Sequence, residues 1–142
     1  MTRLLVIDAS VAIKWLLPED GSEFALSILE QGFSLAAPDL ILSEIGNVLW
    51  KKSRGGKISP QASLRLLTEF QNLSMRIISS AKIATIALGI AQRCDRSYYD
   101  SLYLALAETL EVSLVTADQK FVNALQETPY RKRIVPLGAV FA

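Results

Sequence analysis

Residues 4 to 17 read LLVIDASVAIKWLL. Four consecutive aliphatics, Leu4 to Ile7, end abruptly at Asp8. A short apolar run without polar alternation is the pattern of a strand buried on both faces, as in a parallel sheet. The next apolar stretch, Val11 to Leu17, has the length of a short helix and is stopped by Pro18. A strand followed by a helix, with a carboxylate at the junction, is therefore the first unit of the chain.

The same alternation continues outward. Ser22 to Gln31 reads as a helix closed by Gly32, and Ser34 to Ala37 as a strand ended by Pro38. Asp39 to Arg54 reads as a helix, with Asp39 as its cap and Gly55-Gly56 as its end. Ser59-Pro60 opens a helix that runs to about Leu73, with the hydroxyl at the cap and proline in the first turn. Arg76 to Ser79 reads as a strand, Lys82 to Arg93 as a helix, and Ser97 to Glu111 as another helix. Val112 to Thr116, Gln119 to Gln126 and Arg133 to Leu137 complete the series as strand, helix and strand. Strands alternating with helices predict a three-layer α/β/α sandwich around a central parallel sheet. The 142 residues fit one domain, 1–142, with no repeat or linker.

Composition narrows the chemistry. Hydrophobic residues make up 51% of the chain, enough for a substantial core. The N-terminus imitates a secretory signal, but Asp8 and Lys14 interrupt its apolar run and no small-residue cleavage site follows. No uninterrupted apolar stretch is long enough to span a membrane; the best candidate, Leu102 to Leu114, is broken by Glu108 and Glu111. The single cysteine, Cys94, rules out an internal disulfide and suits a reducing cytoplasm. There is no histidine. That removes Ser-His-Asp and Cys-His catalysis, histidine bases and histidine-bound zinc. Carboxylates, hydroxyls, lysines or an oxygen-held metal are left.

Four acids stand where a carboxylate is unexpected. In open parallel sheets ligands bind beyond the carboxyl ends of the strands. Asp8 follows the first strand directly, with Ser10 two residues on as the better helix cap. Asp118 follows the strand VSLVT in the sequence TAD, and can also cap the helix at Gln119. Glu44 borders the stripe of Ile41, Ile45, Val48 and Leu49, with Asn47 and Lys51 on its own flank. Asp100 lies in RSYYDSLYLALAE, where Ser97 and Asp100 fit a capping box. The helix after it is apolar nearly all round, so Asp100 is expected near the inside; no basic residue is placed to pair with it locally, and Arg96, before the turn, is a possible partner. Four carboxylates gathered within about 5 Å repel by roughly 3 kcal/mol per pair at an effective dielectric near 20. A multivalent cation relieves that, and all-oxygen ligation suits Mg²⁺ or Mn²⁺.

These residues carry a resemblance. VIDASVAIKWLLPE, PDLILSEIGNVLWK, YYDSLYLALAE and LVTADQKF, in this order over essentially the whole chain, resemble the PIN-domain ribonucleases, most closely the VapC toxins of VapBC toxin–antitoxin pairs. The resemblance implies a PIN-like fold and a metal-dependent endoribonuclease. It makes Asp8, Glu44, Asp100 and Asp118 the acidic site, with Mg²⁺ or Mn²⁺ as cofactor. Ser10 and Thr116 become the hydroxyl companions of the D-x-S and T-x-D motifs. Where many relatives carry a further acid, this chain has Gln119-Lys120, which removes a fifth ligand. The resemblance also implies an RNA substrate, a small VapB-like antitoxin that wraps the toxin and blocks its site, and a homodimer.

Formal charge is +1, from 15 basic and 14 acidic residues. With four acids committed to a site, the remaining surface is basic, and Lys51, Lys52, Arg54 and Lys57 cluster in one segment suited to phosphates. Arg131-Lys132-Arg133 form a second cluster, equally suited to a solubilising surface. Trp15 and Trp50 are expected in the core or a dimer contact, and Cys94 as a buried or half-buried thiol. Two other readings compete. A receiver or haloacid-dehalogenase-like phosphoryl-transfer domain would use a strand-end aspartate, but position 10 is Ser rather than the second acid of D-x-D. A non-catalytic PIN-like binding module would not need all four acids.

Overall fold

In the computed structural model, which describes residues 3–141, five strands form one parallel sheet. They are β1 (Leu4–Ile7), β2 (Ser34–Pro38), β3 (Arg76–Ile78), β4 (Ser113–Thr116) and β5 (Ile134–Pro136), ordered β3-β2-β1-β4-β5. Seven α-helices are described: α1 (Ala9–Leu16), α2 (Ser22–Glu30), α3 (Leu40–Arg54), α4 (Pro60–Gln71), α5 (Ala84–Cys94), α6 (Tyr98–Leu110) and α7 (Gln119–Ala124). Short 3₁₀ turns at Ser80–Lys82, Pro129–Lys132 and Leu137–Ala139 complete the element list.

The apolar run at the start does what its composition requires. Leu5, Val6 and Ile7 are buried, and β1 is the central strand, paired with β2 on one side and β4 on the other. Burying each such side chain contributes about 1.5–3 kcal/mol. From β1 the chain steps outward to β2 and β3, then returns past β1 to β4 and β5. Right-handed crossovers, the near-universal hand, place α1 to α4 on one face and α5 to α7 on the other. The packing agrees: α1 meets α2, α3 and α4, while α5 pairs with α6. Helix α6 lies across the sheet centre against β1, β2 and β4, and every residue from Ser101 to Ala107 is buried. That matches its all-round apolar sequence.

The reversal of direction between β1 and β4 creates a crevice beyond their carboxyl ends, the place where such sheets bind ligands. Asp8 and Thr116 sit at its edges.

Several expected boundaries shift for physical reasons. Helix α1 begins at Ala9 because Asp8, not Ser10, is its cap: the Asp8 carboxylate accepts from the Val11 amide at 3.2 Å. Asp39 makes no cap hydrogen bond to α3. Its Oδ1 instead accepts from the Ser80 amide and hydroxyl across the β3 end. Trp50 is not in the core; it is 52% exposed, with the Arg54 guanidinium 5.3 Å from its ring. Trp15 is partly buried and donates its indole N–H to the Ala25 carbonyl at 2.7 Å. Cys94 is half-buried. Among the described residues no helix is long and apolar enough to cross a membrane.

Candidate active site

The D-x-S and T-x-D segments interlock. Asp8 is only 7% exposed. Its Oδ1 accepts from the Ser10 hydroxyl at 2.6 Å and from the Val11 amide. Its Oδ2 accepts from the Thr116 hydroxyl at 2.6 Å. A hydroxyl has one proton to give and two lone pairs to fill. Ser10 gives its proton to Asp8 and accepts from the Ala117 amide at 2.9 Å; Thr116 gives its proton to Asp8 and accepts from the Asp118 amide at 3.1 Å. Each hydroxyl therefore ties the end of β1 to the turn after β4, and the orientation of the Asp8 carboxylate is fixed by both. Burial pushes the Asp8 carboxyl up to about 6, against the opposing hydrogen bonds of Ser10, Thr116 and Val11, with the nearby charge of Asp100 adding to the rise.

Glu44 comes from the second turn of α3, half-buried on the border of the Ile41, Ile45 and Leu49 stripe. Its Oε1 accepts from the Tyr103 hydroxyl at 2.5 Å. Burial raises its carboxyl above the ordinary range; the Tyr103 hydrogen bond opposes this and the Asp100 charge reinforces it. Tyr103 is a site residue that the sequence reading left among the core of α6. It is three residues after Asp100 and thus on the same helix face, which was the available signal. Burial first, then the Glu44 charge, keeps its phenol protonated.

Asp100 sits in the first turn of α6. The Ser97 side chain caps the helix by accepting from the Asp100 amide at 3.0 Å. The carboxylate turns away from the cap to Arg96, whose Nη2 donates to Asp100 Oδ2 at 2.7 Å. The partner is Arg96, the possible partner that precedes the helix: its side chain folds back over the first turn. Asp118 caps α7, its Oδ1 accepting from the Lys120 and Phe121 amides at 3.0 and 3.3 Å. Its Oδ2 lies 4.0 Å from the same Arg96 Nη2.

The four acids are linked as neighbours. Asp8 and Glu44 both feel the charge of Asp100, and Arg96 joins Asp100 to Asp118. Among the described residues, however, no three acidic or thiol groups surround one point closely enough to form a ready-made metal cage. The donor chemistry does suit a hard cation: the crevice presents carboxylate and hydroxyl oxygens, with no imidazole in the chain. The uncommitted oxygens can be counted. Asp8 Oδ2 carries one hydrogen bond, Asp100 Oδ2 and Glu44 Oε1 carry one each, and both oxygens of Asp118 are accounted for by the α7 amides and the facing Arg96. That leaves one lone pair on Asp8 Oδ2, Asp100 Oδ1, Glu44 Oε2 and, if Arg96 yields, Asp118 Oδ2.

Beside these acids runs a depression of about 380 Å³, lined by Lys14, Phe24, Thr116, Ala117, Gln119 and Leu137 among others. Lys51, Lys52 and Arg54 lie in the last turn of α3, where positive charge also suits the helix terminus.

Tyr103→Phe should lower turnover about 10–100-fold, because a support that orients a site carboxylate is lost. The helix should stay folded, since the ring still fills its buried position. Steady-state kinetics paired with thermal melting checks this; unchanged turnover would remove Tyr103 from the site.

Comparison with known proteins gives one consistent result. Residues 5–124 match the family model described as PIN domain. The chain is 31% identical to Ribonuclease VapC3 of Pyrobaculum aerophilum over 121 residues, covering 84% of this chain and 92% of the relative. It is 32% identical to Ribonuclease VapC9 of Mycobacterium tuberculosis over 123 residues, covering 87% and 92%. Among solved structures, that of PAE2754 from Pyrobaculum aerophilum superposes with a TM-score of 0.72 at 23% identity, covering 97% of this chain and 93% of the other. VapBC2 from Rickettsia felis, bound to a promoter DNA fragment, gives 0.68 at 16% identity, covering 94% and 98%. At those identities the structural likeness speaks for the fold alone.

Proposed function

The chain belongs to the PIN-domain family, and from that premise we propose that it is a metal-dependent endoribonuclease and the toxin of a type II toxin–antitoxin pair. The observation that carries the reading is Asp8: a buried carboxylate at the strand reversal point, locked by two hydroxyls and within reach of the Asp100 charge. The curated relatives named as ribonucleases supply the substrate class.

Asp8, Asp100 and Asp118 would hold Mg²⁺ or Mn²⁺, with Glu44 as a further ligand or the residue that orients the attacking water. A divalent ion bound by carboxylates makes water more acidic and neutralises charge at the scissile phosphate. The rest is done by the chain. Ser10 and Thr116 keep Asp8 from rotating, so that one lone pair of Oδ2 faces the crevice. Glu44, raised in pKa and anchored through Oε1 by Tyr103, keeps Oε2 free to receive a proton from water. Lys51, Lys52 and Arg54 are proposed to follow the RNA backbone.

The phosphoryl-transfer alternative is not favoured, because the PIN-domain match over residues 5–124 and the relatives named as ribonucleases point to phosphodiester hydrolysis.

A VapB-like antitoxin would cover the crevice, the protein would act in the cytoplasm, and a homodimer is the expected assembly. Purified protein should cleave RNA with Mg²⁺ or Mn²⁺, lose activity in EDTA and regain it when the ion is restored. Cleavage that persists in EDTA would overturn the metal-dependent reading. A short antitoxin-like reading frame beside the gene is the corresponding genetic observation.

A further inference from the structure

Arg96 has no role in the chemistry above, yet it is the cation nearest two of the four acids. Its Nη2 donates to Asp100 Oδ2 at 2.7 Å and stands 4.0 Å from Asp118 Oδ2. Its guanidinium lies over the Phe121 ring, 4.9 Å from the centroid. Its Nε is buried without a hydrogen-bond partner. The backbone fixes this position: Asp95, at φ 52°, is the left-handed cap ending α5, Ser97 is the cap opening α6, and Arg96 is the one residue between them.

An arginine with a buried, unpartnered N–H sits there at a cost, so a compensating attraction holds it. The attraction is the uncompensated charge of Asp100 and Asp118. A guanidinium cannot lose its proton, so the positive charge is permanent. The oxygens available to a metal then meet a rival. Asp118 Oδ1 is committed to the α7 amides, so Oδ2 is its oxygen for a cation, and Oδ2 is the one that faces Arg96.

We propose that Arg96 is a built-in competitor for the divalent-ion site: it neutralises Asp100 and Asp118 in the metal-free protein and must withdraw from Asp118 for the ion to bind. The proposal rests on the metal-binding reading given above. Its effect is to set the concentration of Mg²⁺ or Mn²⁺ at which the site fills, and so the threshold at which the enzyme becomes active.

The test is calorimetric titration of Mn²⁺ into wild type, Arg96→Gln and Arg96→Lys, without RNA. Removing the charge should tighten Mn²⁺ binding about tenfold or more, because two like charges no longer share one carboxylate pair. Arg96→Lys, which keeps the charge, should tighten it less. Equal or weaker binding by Arg96→Gln, with wild type binding normally, would overturn the competition and leave the metal site standing. Absence of binding by all three would overturn both. Because Arg96→Gln also loses its contact with Phe121, a second measurement uses wild type alone. The Arg96 Nε–H resonance should shift on addition of Mg²⁺, and a resonance that stays put while the site fills would equally reject the proposal.

Discussion

Asp100→Asn is expected to abolish Mn²⁺-dependent RNA cleavage, by about 10³-fold or more, while the protein stays folded. The size follows from charge: a metal and its ligands stabilise several kcal/mol of developing charge, and about 4 kcal/mol corresponds to about 10³ in rate. Asparagine keeps the shape of the side chain and offers a neutral oxygen in place of a charged one. The fold should tolerate the change, because the α6 cap depends on the Asp100 amide and the Ser97 hydroxyl, which asparagine leaves alone. What is lost structurally is the pair with Arg96, whose partners are about a fifth and a third exposed. Pairs of that exposure contribute about 0–1 kcal/mol. Single-turnover cleavage assays and thermal melts on the same preparation separate the two effects. Wild-type cleavage by a folded Asp100→Asn protein would refute the assignment of the site.

The sheet was legible because a parallel strand buried on both faces must be largely apolar, and Leu4 to Ile7 can be little else; in Ser113 to Thr116 the short Leu114-Val115 centre, flanked by β-compatible residues, gave the same signal. The acids were legible because Asp8 and Asp118 interrupt or terminate such runs. Glu44 and Asp100 needed the resemblance as well, since each also has an ordinary helical role. The misses share one cause: a polar side chain whose partner lies outside the pattern of its own element. Arg96 precedes α6, and only the left-handed cap at Asp95 and the platform of Phe121 bring it to Asp100. Asp8 took the cap expected of Ser10: its carboxylate accepts from the Val11 amide, while the Ser10 oxygen accepts from the Ala117 amide after β4. Asp39 left its helix for Ser80, forty-one residues away in sequence, a contact no local pattern announces. Tyr103 read as core because it is core; its function lies in one oxygen atom.

Asp8→Asn should make the metal-free protein more stable at neutral pH while removing activity. The Asp8 carboxyl stands at about 6 in the folded protein against 3.8 as its ordinary value, burial being the main cause. A raised value means that the folded state holds the proton more tightly than the unfolded chain does. Below about pH 4 both states are protonated and the group costs nothing. As pH rises from about 4 through 6 the unfolded chain ionises first, and stability falls by about 3 kcal/mol in total. Above that window the full penalty of a buried carboxylate remains unless a cation offsets it. Asparagine has no charge to desolvate. Its Oδ1 can keep the Ser10 and Val11 donors, but its amide then faces the Thr116 hydroxyl, which must rotate from donor to acceptor. Setting about 1 kcal/mol for that adjustment against the relieved penalty leaves a net gain of about 2 kcal/mol at pH 7.5. Urea denaturation in EDTA between pH 4 and 7.5 reads it directly. The wild-type curve should decline across the window and the Asp8→Asn curve should lack that component, so the two diverge with rising pH. Parallel curves, or a variant less stable than wild type at pH 7.5, would mean that Asp8 is comfortable in its pocket without a cation. The electrostatic reason for placing a metal beside it would then fail.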